Sequence, residues 1–253
     1  MAVFTNFAAT LARQPSAASL APRLNKNIEG SAMLHYAAYQ NYELLCQVLL
    51  RNGADPNIRD NKMATPIHEA AYFGYKNIIR MLLEHGAEVN AKDNNGYTPL
   101  MFAVLNNRFE TAESLIEHGA NVNDHENLAG HVPLHAAVAY ASESVLKLLI
   151  ENGASIDLKS HTGQTALTYA VCHKKKEMVV FLIENGANVN TTCYRLATPL
   201  HYGKDYNLGD IALLLLRNGA SLNARDLDKR TPIEGGLMKK QMGFFKTMVA
   251  FAQ

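Results

Sequence analysis

The sequence predicts an all-α solenoid of about seven stacked helix–turn–helix units with short β-hairpin loops, and three observations predict it. The run LLRNGADPN (49–57) returns as LLEHGAEVN (82–90), LIEHGANVN (115–123), LIENGASID (149–157), LIENGANVN (182–190) and LLRNGASLN (215–223). Its glycines, Gly53, Gly86, Gly119, Gly153, Gly186 and Gly219, are separated by 33, 33, 34, 33 and 33 residues. A second phrase keeps the same step, from SAMLH (31–35) through ATPIH (64–68), YTPLM (97–101), HVPLH (131–135), QTALT (164–168) and ATPLH (197–201) to RTPIE (230–234). Self-similarity at a fixed step of this size marks an array of stacked units.

Each phrase has a local physical meaning. The threonine of Thr65-Pro66, Thr98-Pro99, Thr198-Pro199 and Thr231-Pro232 suits a helix N-cap. The proline suits the first helical position, where a missing N–H costs nothing. Small residues, as in the stretch His68–Ala71, then make a short first helix that can pack closely. A second helix follows with apolar residues at helical spacing, as in Ile78, Ile79, Met81, Leu82 and Leu83. It stops where Gly86 can take the left-handed conformation. The stretch 87–96 is rich in Asn and Asp, which predicts a turn or hairpin before the next unit. A single unit exposes its apolar faces, so stability requires neighbours stacked on both sides.

A unit of 33 residues carrying TPLH and GAxVN phrases resembles the ankyrin repeat over roughly residues 27–253. The units fall at about 27–59, 60–92, 93–126, 127–159, 160–192, 193–225 and 226–253. The last lacks the GAxVN ending and is expected to act as a C-terminal cap with a closing helix over about 243–252. The extra residue of the third unit is placed near 124–126, as a lengthened hairpin. In the sixth unit Lys204 stands where a small buried residue is expected, which predicts local distortion.

Residues 1–26 do not match the repeat. Phe4, Phe7, Ala8 and Leu11 form an amphipathic stripe before Pro15 and Pro22, which predicts an N-terminal capping helix, with a tail as the alternative. A stretch with Arg13 and Arg23 and no acidic residue before Glu29 also fits a mitochondrial targeting segment, although its arginines are few for one.

Composition removes several function classes. A hydrophobic share of 48% and a charged share of 19% suit a folded, soluble chain. Lys+Arg 24 against Asp+Glu 23 leaves a net charge of +1, without the basic excess that supplies most nucleic-acid affinity. No nucleic-acid partner is expected. Nor is a membrane span, since no run of eighteen apolar residues occurs. Cys46, Cys172 and Cys193 are odd in number, far apart and without a CxxC pair, against a disulfide framework or zinc site. Reduced thiols predict a cytoplasmic protein, with the nucleus as the alternative.

The search for chemistry is mostly negative. His35, His68, His135 and His201 occupy one repeat position, which predicts a structural imidazole bonded to the neighbouring hairpin backbone. His85 and His118 precede helix-ending glycines, where a side chain can meet the last carbonyls. HExxH, GxSxG, phosphate-loop and DxDxDG motifs are missing. The adjacent Cys172 and His173 lack a defined orienting group, and the run Lys174-Lys175-Lys176 reads as a solvated turn. No catalytic residue, cofactor or metal is expected, and the chain reads as non-enzymatic.

The ankyrin resemblance implies that partners are bound by hairpin tips and by the exposed end of each first helix, along a concave face. Mapped onto this sequence, the candidate protein-binding residues are Tyr39, Tyr72, Phe73, Tyr97, Asn106, Tyr140, His173, Tyr194 and Tyr206. Exposed tyrosines and phenylalanines offer large contact areas, and tyrosine is enriched at binding hot spots. The resemblance also implies that a hairpin asparagine can be hydroxylated by an asparaginyl hydroxylase, and Asn90, with Leu82, Glu88 and Val89 before it, fits that pattern best. The leading expectation is a monomeric adaptor or scaffold that docks a protein or peptide. A substrate-recognition subunit of a ubiquitin ligase and a secreted effector of an intracellular microbe are the rivals. The ligase reading is weakened because no separate helical box follows the last repeat.

Overall fold

The computed structural model describes residues 25, 32–125, 127–203, 208–238, 246 and 249–251, and every regular element among them is helical. The expected N-terminal helix, Lys204, Tyr206 and most of the expected closing helix lie outside the described residues. The chain divides into two compact units, residues 1–122 and 123–253.

The first unit holds α1 (Met33–Tyr39), α2 (Glu43–Arg51), α3 (Pro66–Phe73), α4 (Lys76–Glu84), α5 (Pro99–Leu105) and α6 (Phe109–Glu117). Helices α1, α3 and α5 pack side by side in one row, α2, α4 and α6 in a second, and each first helix packs on its own second helix. The second unit holds α7 (Pro133–Tyr140), α8 (Glu143–Glu151), α9 (Ala166–Cys172), α10 (Lys176–Glu184), α11 (Pro199–Gly203), α12 (Gly209–Arg217) and α13 (Pro232–Met238). There α7, α9, α11 and α13 form the first row, while α10 packs on α12 in the second.

Helices of five to nine residues are too short to persist alone. Their stability comes from stacking. Ile67, Leu82, Leu100 and Leu115 are fully buried in the first unit, and Leu146, Leu149, Leu167, Leu182 and Leu215 in the second. Burying each such side chain contributes about 2 kcal/mol.

The stop signals operate as the repeat phrases imply, but the start signal does so at only two of the four threonines, since the Thr65 and Thr198 hydroxyls turn to Nδ1 of His68 and His201. Thr98 Oγ1 accepts the Met101 N–H at 3.3 Å, and the Thr231 hydroxyl accepts the Glu234 N–H while Glu234 accepts the Thr231 N–H. Gly53, Gly86, Gly119, Gly153, Gly186 and Gly219 all take φ between 85° and 90°. The residue before each glycine bonds the carbonyl four positions back. Asn52, Asn152, Asn185 and Asn218 donate there through Nδ2, and His85 and His118 meet it through Nδ1.

Two ladders tie successive repeats together. In the first, Asn57, Asn90, Asn123 and Asn190 donate to the carbonyls of Gly86, Gly119, Gly153 and Gly219. Their Oδ1 atoms accept the N–H of Glu88, Asn121, Ser155 and Ser221. The step is 29 residues except at Asn123, where it is 30. The extra residue of the third unit therefore lies after Asn123, as the sequence predicted.

In the second ladder, Nδ1 of His35, His68, His135 and His201 accepts the N–H of the N-cap residue of its own helix. That acceptance leaves Nε2 as the protonated nitrogen, which donates to Ala64, Tyr97, Leu158 and Arg230 carbonyls respectively. The expected structural role is thus observed, with one variation: His135 reaches back to Leu158 rather than to the hairpin position 29 residues on. Burial lowers the pKa of His35 and His68, and holds His135 down to about 4, with the neighbouring His131 adding to the effect.

The linking loops are tight turns with no strand among the described residues. Each is built around one polar residue. Asp60 Oδ1 accepts the N–H of Lys62 and Ala64, Asp93 Oδ1 those of Asn95 and Tyr97, and Asp226 Oδ1 those of Asp228 and Arg230. Asn127, Ser160 and Cys193 hold the same place in the other hairpins.

Candidate functional site

The repeat geometry delivers two kinds of residue to the outside: the last residues of each first helix and the tips of the hairpins. In the first unit Tyr39 ends α1, Tyr72 and Phe73 end α3, and Tyr97 leads from its hairpin into α5. Tyr39 and Tyr72 are exposed, Phe73 and Tyr97 half-buried. They form a continuous aromatic chain. The Tyr39 and Phe73 ring centres lie 5.0 Å apart, Tyr72 and Phe73 4.8 Å, Tyr72 and Phe102 6.3 Å, and Phe102 and Tyr97 6.3 Å, all edge-to-face. Such pairs are favoured because a ring edge is positive and a ring face negative.

This chain walls a concavity of about 570 Å³, lined also by Asp60, Lys62, Ala64, His68, Glu69, Asp93 and Asn95. Glu69 is half-buried, and desolvation, with the nearby charge of Asp60, holds its carboxyl above the ordinary range. Asn106, also placed in the expected set, turns inward: its Nδ2 donates to the Phe102 carbonyl of its own helix at 2.8 Å.

In the second unit Tyr140 ends α7 and is 65% exposed, and Tyr194, at a hairpin tip, is 67% exposed. His173, after α9, stacks on Tyr169 with ring centres 6.5 Å apart. Tyr169 in turn bonds His131 Nε2 through its hydroxyl at 2.6 Å. The three lysines after His173 are dispersed. Lys174 takes φ 58°, Lys175 donates to the Ala139 carbonyl, and Lys176 pairs with Asp210 at 3.8 Å. Tyr206 lies outside the described residues.

Hairpin tips carry a feature the repeat phrases did not reveal. Gly96, Gly130 and Gly163 take positive φ there, but Met63, Leu196 and Lys229 hold the same backbone at 59°, 57° and 60°. A side chain in this region costs about 1–2 kcal/mol. At Gly163 a Cβ would stand 2.6 Å from the Tyr194 nitrogen, so glycine is sterically required. Met63 and Leu196 instead display apolar side chains that are 44% and 47% exposed.

Two further site residues escaped the sequence reading. Glu69 and Phe102 occupy one repeat column, directly after the histidine position, with Tyr36, Tyr169 and Tyr202 as its other large members. The column varies from repeat to repeat, so no sequence signal marked either residue.

Asn90 is exposed, and its amide is held at both ends by the inter-repeat ladder in the same way as Asn57, Asn123 and Asn190. Among the described residues no three His, Cys, Asp or Glu side chains converge as metal ligands, and no helix is long and apolar enough to cross a membrane. The cysteines are free, and burial pushes the Cys46 thiol up to about 12.

Short helix pairs stacked by repeat-spaced ladders, with variable aromatic side chains at their outer ends, define a helical-repeat interaction module. A family model described as "Ankyrin repeats (3 copies)" matches residues 34–126 and 134–226, and one described as "Ankyrin repeats (many copies)" matches residues 105–150. The chain belongs to the ankyrin repeat family. Among solved structures it is similar to the ankyrin repeat domain of Bcl-3, a unique member of the IkappaB protein family. The two share 25% identity with a TM-score of 0.78 over 87% of this chain and 100% of that one. It is also similar to the human ASB11 ankyrin repeat domain, at 27% identity and a TM-score of 0.77 over 87% of this chain and 98% of that one. No curated protein matches the sequence. Ankyrin repeat domains are general protein–protein interaction modules, and this chain is one of them.

Proposed function

We propose that this protein is a non-enzymatic, monomeric adaptor of the cytoplasm that docks a protein or peptide on its first-helix ends and hairpin tips. One observation carries the reading. Apart from Tyr42, Leu44 and Phe251, every exposed large apolar side chain among the described residues lies in those two places. They are Tyr39, Met63 and Tyr72 in the first unit, and Leu128, Tyr140, Tyr194, Leu196 and Leu227 in the second. Second helices present charge instead, as in the Arg80–Glu84 and Lys147–Glu151 pairs. Solubility alone disfavours apolar residues at such exposed places, and aromatic anchors ringed by polar groups are what interfaces use.

The test is a triple replacement. Tyr72→Ala, Phe73→Ala and Tyr140→Ala together are expected to abolish partner capture from the native source while shifting the thermal midpoint only slightly. Capture that survives, or a chain that no longer folds, goes against the proposal. Roles as a ligase recognition subunit or a microbial effector would use the same surface, and no side-chain geometry favours either.

A further inference from the structure

The concavity in the first unit combines aromatic walls with an excess of carboxylates. Its described lining holds Asp60, Glu69 and Asp93 against one basic residue, Lys62. Asp60 accepts two hairpin N–H groups through Oδ1, and Asp93 accepts two through Oδ1 and the Asn95 side-chain amide through Oδ2, all uncharged donors. Glu69 makes neither a hydrogen bond nor an ion pair with any described residue. The nearby Arg59 donates to the Met63 and Lys92 carbonyls and lies 3.8 Å from Glu88, while its charge also reaches His68. His68, with Nδ1 accepting and its pKa lowered by burial, adds no positive charge at neutral pH.

We infer that this concavity receives the guanidinium of an arginine from a partner peptide, stacked on Tyr72, Phe73 and Phe102 and paired with Glu69. The inference rests on the docking surface proposed above and specifies its occupant. An apolar side chain would bury Glu69 without a partner, and an anion would be repelled. A cation is attracted both to the carboxylates and to ring faces. Guanidinium fits better than ammonium, because it is planar, stacks on aromatic rings and pairs with carboxylates through a fixed fork of donors. Glu69 supplies the specificity. Desolvation and the charge of Asp60 raise its pKa, Lys62 offsets them only in part, and an incoming cation completes the compensation.

The experiment titrates the full chain with acetyl-Gly-Arg-Gly-amide and with the same peptide carrying citrulline, which keeps the shape and removes the charge. Aromatic and backbone NMR signals are followed. Arginine is expected to shift Tyr72, Phe73, Phe102 and Glu69 saturably, with a dissociation constant on the order of 1 mM. Tyr140 and Tyr194 signals stay in place. Citrulline binds at least tenfold more weakly. Glu69→Gln and Phe102→Leu, each checked for an unchanged thermal midpoint, weaken arginine binding at least threefold, and raising the salt weakens it further. Equal binding of the two peptides, or no saturable shift, overturns the inference. If that occurs while Tyr72→Ala still abolishes partner capture, the arginine assignment falls and the docking surface stands. Capture indifferent to Tyr72→Ala removes the surface itself.

Discussion

Met63 and Leu196 are the residues where local strain and surface chemistry meet. Both hold the left-handed backbone that other hairpins give to glycine, and both expose an apolar side chain there. Met63→Gly and Leu196→Gly are each expected to raise stability by about 1 kcal/mol, read as a higher urea midpoint at unchanged slope. A lower midpoint would mean that side-chain packing outweighs the strain. Partner capture is expected to weaken in the same variants, since a tip kept at a cost to folding is kept for contact. Reading at this scale was uneven. The histidine ladder and the roles of His85 and His118 before their glycines were legible because identical residues recurred at identical positions, whereas the asparagines at that place were not singled out. Glu69 and Phe102 were not, because their column varies from repeat to repeat and so resembles noise until the fold places it in a cavity.

Between elements, the buried imidazoles hold α1, α3 and α11 to a loop of the next repeat and α7 to the loop that leads into it. His135 shows the energetic consequence most clearly. Unfolded, it takes a proton at about pH 6.5, whereas in the fold it stays neutral down to about pH 4. Above pH 6.5 both states are neutral and the group makes stability independent of pH. As pH falls below 6.5 the unfolded chain gains a proton that the folded one refuses, so stability drops, by about 2 kcal/mol at pH 4.5. His35 and His68, also lowered, act in the same direction. Urea titrations between pH 7.5 and 4.5 are expected to show this loss in the wild type and a flatter profile in His135→Gln. Equal slopes would show that His135 gains its proton in the folded state as readily as in the unfolded one. Helix starts and stops at this scale were legible, since Thr-Pro and Gly act locally.

For the molecule as a whole, the 33-residue step carried the repeat order, the second-row and first-row helices, and the site of the inserted residue after Asn123. It could not carry the concavity, which exists only because α1, α3 and α5 stand side by side and bring Tyr39, Tyr72 and Phe102 together from three different repeats. Period reports what the repeats share, while recognition resides in what they do not. The most direct measurement of the central claim is hydrogen exchange across the full chain, free and with its captured partner. Slowed exchange is expected at 60–64, 72–74, 94–97, 139–141 and 193–196, with the second helices unchanged. Protection confined to α2, α4, α6, α8, α10 and α12, leaving the hairpin tips and first-helix ends as they were, would contradict it.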